Sequence, residues 1–337
     1  MNTHKPVILS LTKMHEAGLG LLREAGNLKM SSGWDQATIC REIPGADALV
    51  IRTQGEINAA VMDAAGPSLK VIGRHGVGFD HVDIDAATER GIQVVYTPGA
   101  NLESVAEHAI SMMIALSKFF MPSIEALKQG DYFARTKWMG RDIKGRSLGI
   151  IGFGRIGKRL GEIAYQAFDM KVQYTDIMDM PKHATERAGG AQRVDLDTLL
   201  ATSEYISLHV PLDSSTRKLI NRETLAKIRP DCILLNTCRG PVVDELAVAE
   251  ALDESRLFGY GADVYEVEPP PVPGHPLIGR TDNVILTPHN AAQTEESLIN
   301  MAQWMAEDVL RVLQGQQPRY PVNNPQAVAA ARLKLGL

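Results

Sequence analysis

Residues 145–176 read GRSLGIIGFGRIGKRLGEIAYQAFDMKVQYTD. An apolar run, SLGII, enters a turn that fits G-x-G-x-x-G at Gly152, Gly154 and Gly157, and an amphipathic run, KRLGEIAYQAF, leaves it. The first glycine permits a tight turn, the second lets a pyrophosphate approach the backbone, and the third lets helix and strand pack closely. A helix starting there presents free N–H groups and a partial positive charge to the anion. Arg155 adds a charge-assisted contact. The following strand ends at Asp176, nineteen residues after Gly157. A carboxylate at that place takes the adenosine ribose hydroxyls of NAD. A 2′-phosphate would meet a like charge there, and Ile177, Met178 and Asp179 supply no cation. The spacing therefore predicts NAD in preference to NADP.

The rest of the chain repeats this alternation. Strands are expected at 6–11, 47–53, 70–75 and 92–98, and again at 204–210, 232–238, 259–264 and 283–289. Helical spacing appears at 15–25, and a long apolar helix follows Ser104. Glu107 lies three residues after Ser104, a capping-box pattern, and the helix is expected to end near Pro122. The last helix is expected to stop at Gly315, with a polar tail carrying Pro318, Pro321 and Pro325 beyond it. Strands separated by helices predict an α/β fold with parallel sheets. At 337 residues, two domains are expected.

Composition narrows the partners. With 35 basic against 40 acidic residues and no basic block, the chain lacks the clustered cations that nucleic acid or an anionic membrane requires. Cys40, Cys232 and Cys238 show neither disulfide nor zinc spacing, so no metal is expected. The start has no long apolar signal-peptide core, and AISMMIAL is too short to span a bilayer. The expectation is a cytoplasmic protein without nucleic-acid or membrane partners.

Three charged residues stand at the ends of expected strands: Arg239 after CILLNT, Glu268 after GADVYE, and His289 after NVILTP. Open α/β sheets bind ligands beyond the carboxyl ends of their strands. Oxidising an alcohol to a ketone removes a hydroxyl proton as hydride leaves carbon, and histidine is the natural base near pH 7. A carboxylate on its other ring nitrogen fixes the tautomer. An arginine forks onto a substrate carboxylate and polarises the adjacent carbonyl. Spacing alone equally admits Arg239 as a turn residue, Glu268 as a solvated loop residue and His289 as a packing residue.

Several segments in order carry a family resemblance: GRHGVGFDHVDIDAATERGI (73–92), NLESVAEHAISMMIAL (101–116), GIIGFGRIGKRL (149–160), ISLHVPLDSSTRKLIN (206–221), LLNTCRGPVVDELAVAEAL (234–252), GADVYEVEPP (261–270) and LTPHNAAQTEES (286–297). The chain resembles the D-isomer-specific 2-hydroxyacid dehydrogenases, nearest the phosphoglycerate dehydrogenase and glyoxylate/hydroxypyruvate reductase branch. The resemblance implies two Rossmann-like domains: a discontinuous substrate domain (1–101 and 292–337) around a central NAD-binding domain (102–291). It implies Arg239, Glu268 and His289 as the catalytic set. Cofactor contacts would come from Gly152, Gly154, Arg155, Ile156, Gly157, Asp176, Pro211, Cys238 and Asp263, with Asp263 on the nicotinamide carboxamide. Substrate contacts would come from Arg52, from the backbone N–H groups of Gly76, Val77 and Gly78, and from Asn101. It also implies a homodimer joined through the NAD domain. The competing expectations are an NAD(H)-sensing corepressor-like interaction protein and a phosphite or formate dehydrogenase. Formate enzymes of the family generally carry Gln where Glu268 stands, which disfavours that option.

Overall fold

The computed structural model describes residues 5–337. The chain divides into two compact units. One takes the residues up to Asn101 together with Gln293–Leu337, and the other takes Leu102–Ala292.

The first unit holds strands β1 (Val7–Ser10), β2 (Asn27–Met30), β3 (Ala48–Ile51), β4 (Val71–Arg74) and β5 (Gln93–Val95). All pair in parallel, in the order β2-β1-β3-β4-β5. The order reverses between β1 and β3, which opens a crevice at the carboxyl ends of the strands. β3 and β4 are buried along their whole length, as expected for strands covered on both faces. One cover is the helix Glu295–Leu313. A Cβ added at Gly73 of β4 would lie 2.5 Å from Val309 Cγ2 and 2.7 Å from Met305 Sδ, so the missing side chain lets that helix rest on the sheet. This close packing makes the C-terminal segment part of the first unit.

The polar, proline-bearing tail expected beyond Gly315 packs on the first unit. Val322 N–H donates to the Val94 carbonyl, and Asn323 Oδ1 accepts from the Val94 N–H, each at 2.8 Å. The segment is thus stitched to the edge of β5. A further helix, Pro325–Leu335, follows, capped by the Asn324 side chain with Pro325 in its first turn, where a missing N–H loses no bond.

The second unit holds β6 (Ser147–Ile151), β7 (Lys171–Thr175), β8 (Gln192–Arg193), β9 (Tyr205–Leu208), β10 (Ile233–Asn236), β11 (Gly259–Ala262) and β12 (Val284–Leu286). Their order is β12-β11-β10-β9-β6-β7-β8, again all parallel. The first six strands follow the doubly wound pattern, with the reversal between β6 and β9. β9, β10 and β11 are fully buried.

The long apolar helix begins at Leu102, two residues before the expected Ser104 cap. Ser104 is buried inside its first turn and Glu107 is exposed. Val105, Ala106 and Ala109 are buried along its first turns. It ends at Ser117, not Pro122. The chain turns through Phe119, in the left-handed region at φ 51°, into a second helix, Phe120–Lys128, bent 62° from the first. Pro122 falls in the first turn of that helix, where proline is tolerated. Among the described residues no single helix is long and apolar enough to cross a membrane.

Candidate active site

β6 delivers the glycine turn to the reversal point of the second sheet. Gly152 has φ 92°, and a Cβ on it would lie 2.6 Å from the His209 carbonyl oxygen just past β9. A Cβ on Gly157 would lie 2.3 Å from the Gly152 carbonyl oxygen, so this glycine seats the helix Arg155–Phe168 on the turn. Gly154 differs: a Cβ there meets nothing within 4 Å. Gly154 is the helix N-cap and makes no side-chain cap bond, so the helix opens onto free space with its first N–H groups uncapped. That arrangement suits the pyrophosphate of a dinucleotide. Arg155 is exposed at the first helical position and Ile156 is half-buried beside it.

Asp176 stands one residue past β7. Its Oδ2 accepts the Phe153 N–H at 2.7 Å and its Oδ1 the Met178 N–H at 2.9 Å. The carboxylate is thereby fixed beside the glycine turn, and each oxygen retains acceptor capacity. Pro211 is exposed after β9, its carbonyl accepting the Thr216 hydroxyl at 2.7 Å. Cys238 is half-buried, with its thiol on Asn236 Oδ1 at 3.2 Å. Burial pushes that thiol up to about 11, which suits a wall residue and not a nucleophile.

The three charged residues after β10, β11 and β12 lie at the same edge of this sheet. His289 Nδ1 and Glu268 Oε2 are 2.8 Å apart. Burial by itself would raise the Glu268 carboxyl. The His289 hydrogen bond and charge, the Tyr265 N–H and the Arg239 charge outweigh it and hold the group below its ordinary value. Glu268 therefore stays ionised, keeps Nδ1 of His289 as the donor and leaves Nε2 as the ring's basic nitrogen. Arg239 donates from Nη1 to the Cys238 carbonyl at 2.6 Å, which orients its guanidinium. A Cβ on the next residue, Gly240, would lie 1.8 Å from the Tyr265 carbonyl oxygen, so glycine is required there for β10 and β11 to bring these ends together.

Two supporting residues escaped the sequence reading of the site. Tyr265 donates its N–H to Glu268 Oε1 at 3.1 Å and its hydroxyl to the Thr287 carbonyl at 2.8 Å, tying the Glu268 and His289 segments together. His108, on the helix Leu102–Ser117, reaches the Thr287 hydroxyl at 3.0 Å. No local pattern marks either one. Asp263 was expected against the nicotinamide. Its carboxylate is 1% exposed and accepts from the Thr287 hydroxyl, the Asn290 N–H (2.8 Å) and the Ala291 N–H (2.9 Å). Three of about four acceptor sites are used, so its observed work is to clamp the segment bearing His289. That clamp holds His289 at φ 52°, a conformation uncommon for a residue with a side chain.

In the first unit, Arg52 lies one residue past β3 and is half-buried. The Gly76–Gly78 turn follows β4. Gly76 N–H is taken by the Thr97 hydroxyl at 3.1 Å, while the Val77 and Gly78 N–H groups have no hydrogen-bond partner among the described residues. Arg74 braces the turn through the His75 and Gly78 carbonyls. Asn101 closes this part of the unit, its Oδ1 buried with no hydrogen-bond partner among the described residues. Among the described residues no cluster of His, Cys, Asp or Glu forms a metal site.

Comparison with known proteins gives this geometry its family. Residues 110–291 match the family described as D-isomer specific 2-hydroxyacid dehydrogenase, NAD binding domain. The D-3-phosphoglycerate dehydrogenase of Archaeoglobus fulgidus is 38% identical over 321 residues, 94% of this chain and 59% of that protein. This chain thus spans well under two thirds of that relative's length. The glyoxylate reductase of Thermofilum pendens is 38% identical over 339 residues, covering 95% of each chain. The crystal structure of Aquifex aeolicus D-lactate dehydrogenase, complexed with NAD and lactic acid, superposes with a TM-score of 0.84 at 29% identity, over 95% of this chain and 99% of that one. The chain therefore belongs to the D-isomer specific 2-hydroxyacid dehydrogenase family, and the unit built around the Gly152–Gly157 turn carries that family's NAD binding domain.

Proposed function

We propose that the protein is an NAD-dependent D-2-hydroxyacid dehydrogenase that interconverts a short D-2-hydroxyacid and its 2-oxoacid. The substrates to which this reading points are 3-phosphoglycerate, glycerate with hydroxypyruvate, and glyoxylate-like acids. The observation that carries it is the 2.8 Å His289–Glu268 pair at the sheet edge that also bears Arg239 and the glycine turn. NAD, when bound, supplies the hydride acceptor or donor. His289 Nε2 takes the hydroxyl proton during oxidation and returns it to the carbonyl oxygen during reduction. Glu268 stabilises the imidazolium formed in between. Arg239 binds the substrate carboxylate and draws charge onto the carbonyl oxygen. The family resemblance assigns further substrate contacts to Arg52, the Val77 and Gly78 N–H groups and Asn101 of the first unit. The unit with the interrupted sequence is then the substrate domain.

The test is NADH oxidation with glyoxylate, hydroxypyruvate and 3-phosphohydroxypyruvate. Turnover of at least one is expected, and no turnover of any 2-oxoacid would overturn the assignment. We further propose a homodimer through the second unit. Phe120, Leu127, Phe133 and Met139, close together in sequence, are all exposed, an apolar surface that calls for cover. Sedimentation is expected to give twice the 36.8 kDa chain mass, and Phe133→Asp to shift it toward the monomer. A monomer at micromolar concentration would exclude this partner.

A further inference from the structure

The sequence offers no cation directly after Asp176, but the sheet brings one back. β8 runs parallel beside β7 with Arg193 opposite Tyr174. From that edge strand the Arg193 guanidinium reaches the carboxyl end of β7. Its Nη2 donates to the Asp176 carbonyl at 2.6 Å, and its Nη1 pairs with the carboxylate of Asp179. Asp179 is otherwise open to solvent, at 86% exposure. One carboxylate, that of Asp179, and the backbone carbonyl of Asp176 therefore hold one guanidinium at the place where an adenosine ribose is read.

We infer that Asp179 and Arg193 are specificity-determining residues for the dinucleotide: Asp179 occupies Arg193, which is a latent receptor for a 2′-phosphate. The inference rests on the NAD reading above. Paired with Asp179, the Arg193 guanidinium has its charge offset and presents no free fork to a phosphate dianion, which also meets the like charge of Asp176. With Asp179 gone, the planar guanidinium keeps its anchor on the Asp176 carbonyl, a backbone group that no side-chain change removes. Its remaining N–H donors then face outward in the fork geometry that suits phosphate oxygens. The pair is exposed and contributes little to stability, so the fold is free of it. Arg155 stands nearby at the helix start but is unchanged in every variant compared below.

The experiment is direct titration of NADH and NADPH fluorescence, which needs no turnover. The readout is the ratio of the two dissociation constants. Asp176→Ser narrows the ratio, and adding Asp179→Asn shifts it toward NADPH by a further factor of about ten, the worth of one hydrogen bond to a charged group. Adding Arg193→Ala to that double variant reverses the further gain. Asp179→Asn alone moves the ratio in the same direction by a smaller factor. If Arg193→Ala leaves the double variant's ratio unchanged, or Asp179→Asn moves it by less than about twofold in both backgrounds, the inference is wrong. Failure of the unaltered protein to bind NADH would overturn the cofactor reading itself, and this inference with it.

Discussion

Replacing His289 with alanine is expected to lower turnover by about two to four orders of magnitude, the range for a positioned general acid–base group, with NADH affinity nearly unchanged. The reason lies in the ring's two nitrogens. Nδ1 is engaged by Glu268 at 2.8 Å, so Nε2 alone can exchange a proton with substrate. The backbone of this segment is held elsewhere, by Asp263 on the Asn290 and Ala291 N–H groups, so loss of the ring leaves the scaffold in place. Single-turnover NADH oxidation gives the chemical step, and fluorescence titration gives the affinity. A matching loss of NADH affinity would show that His289 holds the cofactor and does not move the proton.

Arg239→Met is expected to lower kcat/KM by a factor of about one hundred to one thousand, as for removal of one preorganised donor to a developing oxyanion. Methionine approximates the length of the side chain without its charge or fork. Arg239→Lys recovers only part of the loss, because an ammonium is a point charge and cannot bind a carboxylate with two parallel bonds. A second consequence follows from Glu268, whose carboxyl is held low partly by Arg239. A depressed folded-state value means that the ionised form contributes stability above the ordinary carboxylate range, and that this contribution is lost as pH falls through the folded value. Without Arg239 the folded value lies nearer the ordinary one, so activity that needs ionised Glu268 is expected to fall off at a higher pH, while the stability lost on acidification is smaller. A lysine variant with unaltered kcat/KM, or a methionine variant within about threefold of the parent, would remove Arg239 from the reaction.

Much of this protein was legible without coordinates. Apolar runs bounded by glycine and proline located every strand expected from them, although several ladders are shorter than the runs; β10, for example, covers Ile233–Asn236 of the expected 232–238. β2 and β8 went unread because Asn27–Met30 is largely exposed and Gln192–Arg193 is only two residues long. The Ser104 cap, the stop at Pro122 and the proline-rich tail were each a reasonable local reading. The structure instead starts the helix at Leu102, turns the chain at a left-handed Phe119 and stitches Asn323 to β5.

The amino-acid sequence alone determined the alternating α/β pattern, the glycine turn with its acidic partner, and which side chains have the chemistry to move a proton. These depend on periodicity, turn geometry and residue type, which act over a few residues. The tertiary structure alone decided which distant groups meet. Glu268 and His289 are 21 residues apart and come together because β11 and β12 are neighbours in parallel register. The same ladder geometry set Asp263 against the His289 segment and carried Arg193 to Asp176. Strand pairing is a non-local choice, set by burying two faces of a sheet at once, so no local stretch of residues encodes its outcome.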